Sequence, residues 1–199
     1  MSRRYRSAAG YPAAVSATGA GRLVLVRHAM PELDPAVPST WRRLGEAGRA
    51  AARALRPLLP GSAYHVASDE PKAVQTLREL AGHHDVATDP GFAEVHHRYV
   101  WAADHGYRAL AYAYLEGVCH EGWEPHALVA ARFDAAVVRH AAAAGDRMLV
   151  VGTHGLAPTV WLASRMRVEP SPARFWAALR WPELIDVALT AGTASRRGT

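Results

Sequence analysis

Two short, uninterrupted apolar runs, residues 23–26 and 148–151, constrain the fold of this chain more than any other feature. Such runs are typical of strands that are buried on both faces of a sheet, because a strand with one wet face alternates polar and apolar residues instead. A weaker strand is predicted at 64–67 and a late one at 184–189. Since helices must cover both faces of such a sheet, the runs predict an α/β fold.

Segments with helical periodicity lie between these strands. Apolar residues recur at three- and four-residue spacing over 44–58 and 73–80, a longer helix is expected over 129–145, and a fourth begins near Pro158. Strands that alternate with helices predict a three-layer α/β/α sandwich with a largely parallel central sheet. In that architecture ligands bind where the carboxyl ends of strands meet the N-termini of helices.

The positive charge of the chain is concentrated near its two ends. The chain has 23 basic and 18 acidic residues, but six of its arginines lie within 1–22 and 196–197. The remaining 17 basic residues face all 18 acidic residues over 23–192, so the fold itself is close to neutral. This balance argues against a nucleic-acid partner, although a protein that binds nucleic acid through its arginine-rich leader stays as an alternative.

Length and composition predict one folded domain over 22–192, a disordered basic leader over 1–21 and a flexible tail over 193–199. A single cysteine, Cys119, cannot form an intramolecular disulfide, which fits a reducing compartment. No apolar run approaches the ~20 residues of a membrane-spanning helix. We therefore expect a cytoplasmic protein with no membrane partner; the sequence predicts no oligomeric state.

A histidine directly follows each of the two strongest strands. His28 comes after the first apolar run and His154 after the second, and the ends of parallel strands meet at one edge of a sheet. A neutral imidazole is a competent nucleophile toward phosphorus, and the Arg27 guanidinium offers the charge support that a phosphoryl group requires. Capping of backbone carbonyls is the alternative role for either histidine alone.

Four segments, in this order, resemble the motifs of the histidine phosphatase superfamily, which has the phosphoglycerate-mutase-like fold. They are Leu-Val-Arg-His-Ala at 25–29, Ser-Asp-Glu-Pro-Lys-Ala-Val-Gln-Thr at 68–76, Phe-Ala-Glu at 92–94 and Gly-Thr-His-Gly at 152–155. Together they span residues 23 to about 156, which is most of the chain. The resemblance rests on the order of all four, since each segment alone is short.

The resemblance implies a role for each of five residues. His28 attacks phosphorus and becomes a phosphohistidine, while Arg27, Lys72 and His154 enclose the phosphoryl oxygens. Glu94 protonates the leaving oxygen and then takes a proton from the hydrolytic water. Neither a metal ion nor another cofactor is implied, because cationic side chains surround the phosphoryl group.

Two positions depart from the family pattern. Lys72, the only lysine of the chain, stands where the family has arginine, so the charge is kept but the planar two-pronged geometry is lost. Tolerated drift, adaptation to a different ester and damaged catalysis all stay open. Glu94 lacks the glycine and tryptophan that usually follow this acid, which leaves Asp89 and Asp104 as alternative proton donors.

The function implied is that of a metal-independent phosphomonoesterase of the histidine acid phosphatase type, acting on a small-molecule phosphomonoester or a phosphoprotein. The Glu-Arg-His-Tyr-Gly pattern of the phosphoglycerate mutases is absent, which favours hydrolysis. A phosphate-binding regulatory protein without turnover is the alternative. The adjacent pairs His83-His84 and His96-His97 have no metal-ligand spacing and are interpreted as loop residues.

Overall fold

A computed structural model describes residues 22–98, 105–189 and 191–197. It contains a six-stranded mixed sheet, mostly parallel, with helices on both faces. The strands are β1 (Arg22–Arg27), β2 (Tyr64–Ala67), β3 (Ala87–Thr88), β4 (Leu149–Thr153), β5 (Glu183–Ala188) and β6 (Thr193–Arg196). The helices are α1 (Glu46–Ala54), α2 (Pro71–Ala81), α3 (His105–Leu115), α4 (His126–Ala144), α5 (Leu156–Arg165) and α6 (Pro172–Ala177).

The sheet has the strand order β3-β2-β4-β1-β5-β6. Neighbouring strands from β3 to β1 are parallel, whereas β5 is antiparallel to both β1 and β6. The two apolar runs therefore form the central strands, as their composition predicts. The α/β sandwich with a largely parallel sheet is confirmed, and the antiparallel pairs are confined to the edge formed by β5 and β6.

Alternate residues of β1 enter two different cores. Leu23 and Leu25 pack in a core with residues of α3, α4, α5 and α6, while Val24 and Val26 pack in a second core with residues of α2. This division follows from the period-two geometry of a strand. It explains why the run is apolar throughout, because each face of β1 is covered by helices.

Two glycines permit close packing near the site. Gly152 of β4 lies against α2, and a Cβ built there would stand 2.7 Å from Leu77 Cγ. Gly155, which precedes α5, would bring a Cβ within 2.8 Å of the Trp176 indole nitrogen. Both positions exclude a side chain, so β4 and the start of α5 approach their neighbours more closely than other residues would allow.

The structure differs from the sequence-based predictions in three places. The helix predicted over 44–58 is shorter, because Pro57 lacks an N–H and restricts Arg56; α1 ends at Ala54 and a 3-10 turn follows over Arg56–Leu58. Helices α3 and α6 and the two-residue strand β3 were not predicted. The flexible tail expected from residue 193 differs from the structure, in which residues 193–196 form β6.

Three other expectations concern the leader, a membrane span and a metal site. The leader at 1–21 lies outside the described residues. Across the described ranges, no helix has both the length and the apolar character needed to cross a membrane. Within the same ranges, no cluster of three or more His, Cys, Asp or Glu side chains is arranged to hold a metal ion.

Candidate active site

The register of the central strands brings three sequence motifs to one edge of the sheet. Arg27 lies opposite Thr153, and Ala67 lies opposite Gly152. The next residues along these strands, His28, Ser68 and His154, therefore leave the sheet at the same level. The His28 and His154 rings lie with centroids 5.1 Å apart, so the structure places the two strand-end histidines in direct contact.

The His28 ring has one nitrogen fixed by the backbone. Its Nδ1 lies 2.8 Å from the carbonyl oxygen of Ala29, and since a carbonyl only accepts, Nδ1 carries the hydrogen. Burial lowers the pKa of His28 well below its ordinary value, and the nearby Lys72 charge lowers it further. The neutral imidazole therefore holds its free lone pair on Nε2.

Arg27 is held by Leu179 and Trp181, which belong to none of the four sequence motifs. Its Nη1 donates to the Leu179 carbonyl oxygen at 2.7 Å, and its guanidinium carbon lies 3.5 Å from the centre of the Trp181 ring. Trp181 also contacts the His28 ring, with centroids 4.6 Å apart. Burial lowers the pKa of Arg27 to about 10, so it stays charged at neutral pH. Its Nε is buried and has no hydrogen-bond partner in the described structure.

Lys72 lies in the first turn of α2 and points into the site. Its Nζ donates to the Ser39 carbonyl oxygen at 2.7 Å and forms a short contact with the Glu70 carboxylate. Thr76, one turn later, donates to the Lys72 carbonyl oxygen and accepts from the Ala29 amide at 2.9 Å. The helix that carries the lysine is thus tied to the residue after the first histidine.

His154 is fully buried and faces two oxygen atoms. Its Nε2 lies 2.9 Å from Ser68 Oγ and 3.3 Å from Glu70 Oε1. Burial lowers the pKa of His154 well below its ordinary value, with further lowering by His28 and Lys72. Both histidines are therefore uncharged near neutral pH, mainly because burial removes their rings from water.

The Glu94 carboxylate caps the N-terminus of α5. Its Oε2 accepts from the amides of Gly155 at 3.0 Å and Leu156 at 3.1 Å, and its Oε1 accepts from the Ala157 amide at 2.7 Å. Helix N-termini offer such unpaired donors to anions. The structure therefore holds the Glu94 carboxylate at the N-terminus of α5, the helix that begins just after His154.

The two alternative acids differ from Glu94 in their placement. Asp89 pairs with Arg139 at 2.7 Å and His140 at 3.0 Å and accepts from the Gly91 amide. These contacts give it a structural role in joining α4 to the segment after β3. Asp104 lies outside the described residues.

Two residues of the site, Glu70 and Trp181, were not predicted from the sequence. Glu70 stands within a recognised motif, but nothing in the sequence distinguishes it from its exposed neighbour Asp69. Trp181 precedes β5, far from every motif in sequence, and reaches the site only because β5 pairs with β1. No local sequence signal points to such a residue.

The family model of the histidine phosphatase superfamily (branch 1) matches residues 23–179, so Trp181 lies just beyond the matched segment. No curated protein matches the chain.

Solved structures share the fold at low sequence identity. A mycobacterial glucosyl-3-phosphoglycerate phosphatase is 24% identical with a TM-score of 0.60, over 83% of this chain and 88% of that one. Its complex with inorganic phosphate is 23% identical with a TM-score of 0.64, over 89% and 95% of the two chains. A mutant phosphoserine phosphatase from Entamoeba histolytica, bound to phosphoserine, is 14% identical with a TM-score of 0.65, over 89% and 95%. These likenesses establish a common fold.

Proposed function

The chain belongs to the histidine phosphatase superfamily, and from this premise we propose that it hydrolyses phosphomonoesters through a phosphohistidine formed on His28. The observation that carries the proposal is the state of the His28 ring. Its Nδ1 is fixed on the Ala29 carbonyl, which leaves the Nε2 lone pair available, and burial keeps the ring neutral.

The proposed reaction has two displacements at phosphorus. In the first, His28 Nε2 forms a bond to phosphorus while the bond from phosphorus to the ester oxygen breaks, and Glu94 gives its proton to that oxygen. In the second, Glu94 takes a proton from a water molecule whose oxygen attacks phosphorus, and the phosphorus–nitrogen bond breaks. Inorganic phosphate and the free alcohol leave, and both side chains return to their starting states.

Charge stabilisation comes from side chains in this proposal, with no metal ion or other cofactor. Arg27 is charged, and its buried Nε has a donor to spare. Lys72 supplies a second positive charge, and His154, whose ring lies 5.1 Å from that of His28, supplies a ring N–H. Donors fixed before the reaction stabilise the charge that spreads over the phosphoryl oxygens in the transition state.

The structures that share the fold support one class of substrate. Structures that share the fold include phosphatases named for glucosyl-3-phosphoglycerate and phosphoserine, which supports a small-molecule phosphomonoester as the substrate, with a phosphoprotein as the second possibility. We propose hydrolysis of the acid phosphatase type over mutase chemistry, and a cytoplasmic location in line with the single cysteine.

The proposal is tested with the purified full-length protein and an aryl phosphate at mildly acid pH. We expect release of inorganic phosphate, inhibited by vanadate, because vanadate adopts the five-coordinate geometry of the transition state. Absence of turnover together with retained binding of phosphate would instead support the regulatory, non-catalytic alternative.

Replacement of Glu94 by glutamine tests the proton donor. The amide keeps an oxygen for the N-terminus of α5 but has no proton to transfer, so hydrolysis of an alkyl phosphate should slow by about 10²-fold or more. Hydrolysis of an aryl phosphate with a good leaving group should slow much less, since that oxygen needs little protonation. The measurement is kcat/KM for both substrates in both proteins. Equal losses on the two substrates would move the acid to another residue.

A further inference from the structure

A carboxylate that the mechanism does not use lies among its phosphate-binding groups. Glu70, the residue before α2, places Oε1 3.3 Å from His154 Nε2 and forms an ion pair through Oε2 with Lys72 Nζ. The side chains of Glu70 and Lys72 are only 10% and 8% exposed, so water screens their charges weakly. The carboxylate thus contacts two of the groups that would hold the phosphoryl oxygens.

Glu70 and phosphate require the same hydrogen-bond donors. The His154 Nε2 carries one hydrogen at most, and Ser68 Oγ at 2.9 Å and Glu70 Oε1 at 3.3 Å already lie within its reach. A phosphoryl oxygen can therefore accept that hydrogen fully only if these contacts weaken. Lys72 Nζ already donates to Ser39 and Glu70, which leaves one of its three hydrogens for a phosphoryl oxygen. Two anions at one buried ammonium also repel each other. The carboxylate cannot keep both contacts when phosphate occupies the site.

With the proposed function as its basis, we infer that Glu70 sets the phosphate affinity of the site. Its ionised carboxylate competes with the phosphoryl oxygens for Lys72 and His154, and it moves away from both when phosphate binds. Glu70 therefore acts as a specificity-determining residue: it weakens the binding of inorganic phosphate, the product, and favours ligands whose other contacts offset its displacement.

Protonation of Glu70 reduces this competition, because a neutral carboxyl group is not attracted to an ammonium. Burial raises the pKa of Glu70, and the charge and hydrogen bond of Lys72 oppose this in part. The Glu94 carboxylate raises the pKa further, while a hydrogen bond from the Glu94 backbone amide lowers it. The Tyr107 phenol also faces this group, and burial raises its pKa, so it stays neutral. His154 stays neutral as well, since burial lowers its pKa. As the pH falls from neutral, Glu70 takes up a proton and its competition with phosphate weakens.

The test is the affinity of inorganic phosphate, measured by calorimetry on the full chain at neutral and at mildly acid pH. The Glu70→Gln variant should bind phosphate at least about tenfold more tightly than the natural protein at neutral pH. The difference should shrink at acid pH, where the natural protein itself loses the charge. Protonation of free phosphate affects both measurements equally, so it cancels in the ratio of the two affinities.

Asp69→Asn is the matched control. It removes one negative charge at the adjacent, exposed position, so a general change in net charge would appear in this variant too. We expect its phosphate affinity to stay within about twofold of the natural protein. Unchanged or weaker binding by Glu70→Gln, or equal gains in the two variants, would overturn the inference while the proposed catalysis stood. Failure of every protein to bind phosphate would contradict both.

A crystal structure of the natural protein with phosphate gives a second measurement that needs no variant. The expected result is a phosphoryl oxygen on His154 Nε2 and on Lys72 Nζ, with the Glu70 carboxylate out of contact with both. Phosphate bound on those two groups while both Glu70 contacts persist would contradict the inference.

Discussion

Replacement of His28 by alanine is expected to reduce kcat by about 10⁵-fold or more while the protein stays folded. The variant loses the Nε2 lone pair that attacks phosphorus in the proposed reaction. The methyl side chain leaves two hydrogen bonds in place, from the residue 28 amide to the Thr153 carbonyl and from the Ala29 amide to Thr76 Oγ1, because both donors are backbone N–H groups. The measurement is turnover of the aryl phosphate, together with phosphoenzyme trapped by rapid denaturation.

His96→Ala provides the control for this variant. The His96 side chain is 77% exposed and is not one of the groups placed around His28. The His96→Ala protein should therefore turn over the aryl phosphate as fast as the natural protein. A His28→Ala protein that still accumulated phosphoenzyme would show that another residue accepts the phosphoryl group.

Trp161→Ala should produce the largest loss of stability, about 3 to 5 kcal/mol. Trp161 is fully buried in α5, its ring centre lies 5.1 Å from that of Phe133 in α4, and its indole N–H donates to Asp134 at 3.2 Å. Truncation leaves a cavity between these helices and removes one of the two donors to Asp134 Oδ1, the other being Arg165. Since a domain of this size has a total stability of about 5 to 15 kcal/mol, much of it would be lost.

Urea unfolding of the two proteins measures this loss. Trp41→Ala is the matched control, because Trp41 is 68% exposed and its truncation should change the free energy of unfolding by less than about 0.5 kcal/mol. Similar values for the two variants would show that the contact of α5 with α4 contributes little to the fold.

The central part of the fold could be predicted because its signals are local. The runs at 23–26 and 148–151 are apolar on both faces, and this is a direct consequence of the two cores that cover β1 and β4. The strands β3 and β6 could not be predicted. β3 has two residues, and β6 carries mostly exposed side chains, so its pairing with β5 is decided by the backbone rather than by an apolar pattern.

The candidate site also has residues that could be predicted from the sequence and residues that could not. His28 and His154 were predicted to meet because both follow buried parallel strands, and they do lie in contact. Glu70 was not predicted, since whether an acid in a helix-entry turn points inward depends on the tertiary position of Lys72 and His154. Trp181 depends on pairing between segments about 150 residues apart, for which residue spacing gives no information.

The stacking of Trp181 on Arg27 also bears on the order in which the protein becomes competent during synthesis. Arg27 is held by the Leu179 carbonyl, 152 residues later in the chain, and domains emerge from the ribosome from the N-terminus onward. A nascent chain extended through α5 already has both histidines and Glu94, yet its guanidinium lacks this support. Translation must therefore pass residue 181 before all the described groups around His28 are in place.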